Sequence, residues 1–202
     1  MTRITVSKLL SACLLSVALP LAAQAADNPD FNYNYVQGGF VNIGSGSNNL
    51  SSGFGNLSGV GADGSYEIAP HWHVLAGFET ADCCDFRLTH FKIGAGYNQM
   101  LMQQLGLFVN AGLVSSHGKY TPAGFSGSDS DTGLELSGGV RFTPVEKVEV
   151  DGFVTIVSGD DFLDSSPSPG VLGLYHFAPQ WSVFASYTAN VDRFYAGVRY
   201  AF

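Results

Sequence analysis

The sequence predicts an all-β protein, a closed antiparallel barrel of transmembrane strands preceded by a cleaved signal peptide. Three observations carry this. The first twenty-five residues have the order of an export leader. No later stretch is apolar for the ~18 residues or more that a spanning helix needs. The remainder alternates apolar and polar residues in segments of about ten, separated by turns, which is how a barrel strand reads.

The leader comes first. Arg3 and Lys8 form a positive start, Leu9 to Ala23 is almost wholly apolar or small, and Ala23-Gln24-Ala25 supplies the small-x-small cleavage pattern. Fifteen apolar residues fall short of the ~20 of a membrane anchor. Leu10-Ser11-Ala12-Cys13 resembles a lipoprotein signal, but the apolar stretch follows Cys13 where it should precede it. Cleavage between Ala25 and Ala26 is therefore expected, giving a leader over 1–25 and one domain over 26–202.

Arg3 and Lys8 leave with the leader and no acid does, so 7 basic residues remain against 17 acidic ones and the net charge moves from −8 to −10. That balance argues against nucleic acid or anionic lipid as an electrostatic partner. Two cysteines remain, Cys83 and Cys84, and an adjacent pair builds neither a disulfide framework nor a spaced metal motif.

Ten strands are expected, near 31–44, 57–68, 72–81, 86–97, 105–117, 132–142, 147–158, 170–177, 181–190 and 193–202. Strands two and three form a hairpin, Tyr66-Glu67-Ile68-Ala69-Pro70-His71-Trp72-His73-Val74-Leu75-Ala76-Gly77-Phe78. Strands eight and nine repeat it as Tyr175-His176-Phe177-Ala178-Pro179-Gln180-Trp181-Ser182-Val183-Phe184-Ala185-Ser186-Tyr187. Proline's fixed φ sets the tight turn in both. In strand four Phe91, Ile93, Ala95 and Tyr97 oppose His90, Lys92, Gly94 and Gly96. In strand five Leu105, Leu107, Val109, Ala111 and Leu113 oppose Gly106, Phe108, Asn110 and Gly112. Strand six sets Leu134, Leu136, Val140 and Phe142 against Glu135, Ser137 and Arg141, and strand seven sets Val148, Val150, Val154 and Ile156 against Glu149, Asp151, Phe153 and Thr155. The last strand alternates cleanly from Phe194 to Phe202.

An even strand number puts both termini on the periplasmic side, with short turns near 69–72, 98–104, 143–146 and 178–180. Longer or more polar loops near 45–56, 82–85, 118–131, 159–169 and 191–192 face outward. Eight strands are the alternative, if the 170–190 hairpin or the first strand is misread.

The terminal Tyr200-Ala201-Phe202, with apolar residues at alternate positions back to Phe194, resembles the final strand read by the outer-membrane assembly machinery. The stretch Tyr33-Asn34-Tyr35-Val36-Gln37-Gly38-Gly39-Phe40 is similar to the start of small OmpA/OmpX-type barrel proteins. The resemblance implies a bacterial outer-membrane location, and an assembly-signal role for Tyr200 and Phe202. Ten strands would depart from the eight of the OmpA type.

Alternation assigns Asp63, Glu67, Glu79, Lys92, Glu135, Arg141, Glu149, Asp151, Arg193 and Arg199 to the lumen. Charges at membrane depth are costly unless paired or wetted, so a salt-bridged interior is favoured over an ion path. Leu75, Phe108, Phe153 and Phe184 share the lumen face and favour filling, as in other small barrels. Among the five histidines, Ser115-Ser116-His117 is the best catalytic grouping, but neighbours in a strand face opposite sides and no partner carboxylate is placed. No catalytic, cofactor or metal residue is assigned. Cys83 and Cys84 lie in an external loop and are candidates for a strained vicinal disulfide.

The expected function is structural or surface-interacting, with a lumen largely filled by side chains and no enzymatic role. A narrow channel for small solutes or ions is the alternative, and a lipid- or peptide-modifying enzyme the second. The expected partners are outer-membrane lipid, lipopolysaccharide and the barrel assembly machinery, with no cofactor, no nucleic acid and a monomeric state.

Overall fold

A computed structural model describes residues 31–44, 55–122, 126–159 and 166–202. The leader and its Ala25–Ala26 junction lie outside the described residues. Ten strands are present: β1 (Tyr35–Ile43), β2 (Leu57–Ala69), β3 (Trp72–Cys83), β4 (Phe86–Met102), β5 (Leu105–Tyr120), β6 (Gly127–Val145), β7 (Val148–Ser158), β8 (Ser168–Ala178), β9 (Trp181–Thr188) and β10 (Arg193–Ala201). Each pairs antiparallel with its sequence neighbour, and β1 pairs with β10 from Tyr35↔Ala201 to Ile43↔Arg193, closing the barrel. The count is ten, not eight.

The alternation maps onto two faces. Val74, Val183, Val198, Phe91 and Leu134 are exposed on the outside, while Val41, Leu57, Val114, Leu174 and Phe184 are buried inside. Exposed apolar side chains recur in every strand, an arrangement that lipid satisfies and water does not. Around the rim that carries the start of β1 and the end of β10, the side expected to be periplasmic, aromatic rings meet in pairs, Trp72 on Tyr97 at 5.1 Å and Trp181 on Tyr200 at 4.9 Å. Phe202 stacks on Tyr66 at 6.5 Å and on Tyr200 at 6.3 Å.

The internal repeat has a structural cause. All four periplasmic hairpins carry a register shift just before a two-residue turn, at Glu67/Ala69, Met100/Met102, Phe142/Val145 and His176/Ala178. A bulge adds one residue and bends the strand, so the barrel edge curls into each turn.

Several connections are shorter than the sequence suggests. The turn expected over 98–104 contracts to Gln103–Gln104, because Asn98 continues β4: its backbone and side-chain N–H groups both donate to the His71 carbonyl, at 2.9 and 3.2 Å. The polar stretches 118–120 and 127–131 belong to β5 and β6, which stay paired out to Tyr120↔Gly127. Hydropathy marks where lipid ends, and backbone pairing continues past it. One flank is therefore tall, with 17, 16 and 19 residues in β4, β5 and β6, against 11, 8, 9 and 9 in β8, β9, β10 and β1. Eight extra residues add roughly 25 Å of strand.

Candidate functional site

The lumen is built from the inward-facing residues of all ten strands. Closing it requires tight packing at the seam. Gly39 and Gly197 face each other across β1 and β10, and a Cβ added to either would lie 2.0 Å from a backbone oxygen, that of Ala196 or Gly38. On β8, Gly170 leaves room for the Phe153 ring, which a Cβ there would meet at 2.4 Å.

At the periplasmic end the residues before β1 turn into the bore. Tyr33 is buried and stacks on His73 at 4.6 Å, and the Arg141 guanidinium lies 4.6 Å over its ring. Arg141 is also 5.8 Å from the Phe108 ring, so its cation sits among aromatic faces. Its Nε donates to Asp151 at 3.2 Å, its Nη2 donates to the same carboxylate at 3.1 Å, and Glu149 lies 3.3 Å away. Glu149 also faces Arg199 at 3.9 Å, and Arg199 donates to Gln37 Oε1 at 2.7 Å. Gln37 in turn donates to Asp63 at 3.1 Å. A chain of polar contacts thus crosses β7, β6, β10, β1 and β2.

Further along, Arg193 Nε donates to Glu79 Oε2 at 2.9 Å, and Lys92 faces Glu135 at 3.5 Å. Each lumen cation therefore faces a carboxylate. At the external ends of β1 to β4, Ile43, Leu57, Ala81, Phe86 and Leu88 form an apolar cluster. It joins Leu174, Phe184 and Tyr195 on the β8–β10 wall. A cavity of about 360 Å³ lies within the lumen, bordered by Tyr35, Asp63, Glu79, Lys92, Glu135 and Arg193 among others.

Of the ten charges assigned to the lumen, the structure places nine inside. Glu67 is the correction. Its parity is inward, but it lies beside the Pro70–His71 turn and is exposed at the rim. Its backbone N–H donates to the Asn34 side chain at 2.8 Å. Parity fixes the face of a side chain and leaves its depth open.

Sequence reading missed the serine–histidine pairs. Ser116 Oγ lies 2.8 Å from His90 Nδ1, across β4 and β5, while its neighbour His117 points outward. Ser182 Oγ lies 2.7 Å from His176 Nδ1, and His176 Nε2 is 3.9 Å from Glu149. Serine, histidine and carboxylate in that order resemble a hydrolase triad, but both serines are only 2% exposed. The register of the hairpins could have found both pairs, since each joins adjacent strands. Cys83 and Cys84 are free thiols at the tip of the β3–β4 hairpin.

The sequence matches the outer membrane protein beta-barrel domain family over residues 11–202. No curated protein matches it. Among solved structures, Ail, the attachment invasion locus protein of Yersinia pestis, is 17% identical, with 83% of this chain and 95% of that one covered and a TM-score of 0.45. OprG of Pseudomonas aeruginosa is 11% identical, with 87% and 99% covered and a TM-score of 0.45. A KdgM porin is 12% identical, with 83% and 99% covered and a TM-score of 0.47.

Proposed function

The chain belongs to the outer membrane protein beta-barrel domain family and resides in the outer membrane, and from that premise we propose a structural or surface-interacting barrel that carries external loops on a largely filled, non-conducting lumen. One observation supports this above the others: every lumen cation faces a carboxylate, and Arg141 faces two. A selective ion path needs charges that can exchange their hydration with a passing ion. Charges committed to each other act as wall braces.

On this reading the barrel works as a monomer, with lipid and lipopolysaccharide around it and the assembly machinery reading Phe202. On the same reading it has no catalytic role, which the near-complete burial of the serines beside His90 and His176 supports. The test is recording across a planar bilayer with the folded protein. Silence is expected. Steady unitary steps from the wild type would overturn the proposal in favour of a narrow solute path, for which the 360 Å³ cavity is the supporting observation.

A further inference from the structure

The β3–β4 hairpin ends in a two-residue turn, Cys84–Asp85, with Cys83 as the last residue of β3. Successive side chains of a strand point to opposite sides, so adjacent cysteines ordinarily hold their sulfurs apart. Here the chain departs from that rule. Cys84 has φ of 57°, in the left-handed region that residues other than glycine rarely adopt. With the backbone turned this way, the two sulfurs stand 2.9 Å apart.

The tip is held on several sides. Asp82 and Arg87 pair across the hairpin at 3.3 Å, and the Asp85 carbonyl accepts from Thr121 N–H at 2.8 Å. Cys83 is half-buried against the apolar cluster at the external ends of β1 to β4, and a Cβ on Gly55 would meet its sulfur at 3.2 Å. Cys84 is exposed. One thiol is thus anchored and the other is open to solvent, with both converging on one point.

Direct bonding of the two sulfurs is disfavoured, because adjacent Cα atoms are about 3.8 Å apart and ordinary disulfides want roughly 4.4–6.8 Å. A bridging atom placed between the sulfurs removes that constraint. Soft thiolate ligands select soft, thiophilic centres. We propose that Cys83 and Cys84 form a surface dithiol site for thiophilic ions and trivalent arsenicals. With an organoarsenic(III) oxide, two As–S bonds form, both bonds of the arsenic–oxygen double bond break, and the two thiol protons leave with that oxygen as water. Arsenic stays trivalent, so no oxidant is required. The third arsenic position is filled by its own carbon substituent, so two protein ligands suffice. The site lies at the hairpin tip, away from the lumen charges, and binds in the same way whether or not the lumen conducts.

The experiment uses barrel purified from outer membranes, reduced with a phosphine and incubated with phenylarsine oxide. Intact mass is then read after a wash with excess monothiol, and again after a dithiol. The expected result is one arsenical per folded barrel, kept through the monothiol and released by the dithiol. Cys83→Ser and Cys84→Ser, each shown to be folded by its gel mobility before boiling, should both lose retention. Retention by either single variant would overturn the site. So would a folded wild type that keeps none after the monothiol wash.

Discussion

Arg141 ties the aromatic and the acidic parts of the lumen together. Its guanidinium is buried among Tyr33 and Phe108 and pairs with both Asp151 and Glu149. Removing it leaves two carboxylates buried close together. Breaking a buried pair by removing one partner costs about 3–5 kcal/mol, so Arg141→Met should lose stability on that scale in reversible urea unfolding from lipid. Asp151→Asn should lose less, because Glu149 still faces the cation. An Arg141→Met barrel as stable as the wild type would remove the bracing role. At the hairpin tip, the hydrogen bond to Cys83 and then that neighbour's charge push the Cys84 thiol up from its usual range. The Asp85 carboxylate acts in the same direction. The thiolate is the ligand form, so cadmium capture should strengthen as pH rises through and beyond the ordinary thiol range. A flat profile in a cadmium titration would count against joint ligation. Of these residues, the sequence exposed the inward face of Arg141; its pairing with Asp151 follows only from the register that the bulge between Phe142 and Val145 sets across β6 and β7. It could not expose the Glu79–Arg193 pair, which spans 114 residues and depends on where the closed sheet brings β3 and β10. Nor does adjacency reveal that Cys84 turns left-handed.

At the scale of strands, the outer face is the most testable assignment. Val183 and Val198 are register partners on β9 and β10, both exposed to the outside. Arginine at either should cost roughly 2–4 kcal/mol at the bilayer midplane and little near an interface. Reversible folding into lipid measures this, and tolerance of both substitutions would invert the two faces. At the seam, Gly197→Ala places a methyl into the β1 backbone, 2.0 Å from the Gly38 carbonyl oxygen and 2.6 Å from the Gly39 Cα. The folded yield should fall, while alanine at Gly173, where nothing lies within 4 Å of the added carbon, should leave it unchanged. Strand existence and order were legible because lipid outside and polar contacts inside impose a period of two over long segments. Strand ends were less so. Past the lipid-facing band the outward residues turn polar, the alternation of hydropathy fades, and backbone pairing carries the strands on through 118–120 and 127–131.

The molecule as a whole has no free lateral edge, since β1 and β10 complete the ladder. All ten strands must therefore lose their pairing together, and the unboiled protein should migrate differently from the boiled one on a denaturing gel. Identical mobility would indicate an open sheet. The closing pair Tyr35↔Ala201 joins residues 166 apart, while every other strand pairing is between neighbours in the chain. Hairpins can form early because their loops are short, but loop-closure entropy makes the long-range join slow. That difference imposes an order in time. Until β10 arrives, a growing sheet has two bare edges, each able to pair with another chain. The interval before closure is when this protein is most exposed to aggregation and proteolysis. Anything that holds Phe194–Phe202 near β1 shortens that interval, so the last nine residues govern the survival of the nascent barrel as well as its final stability.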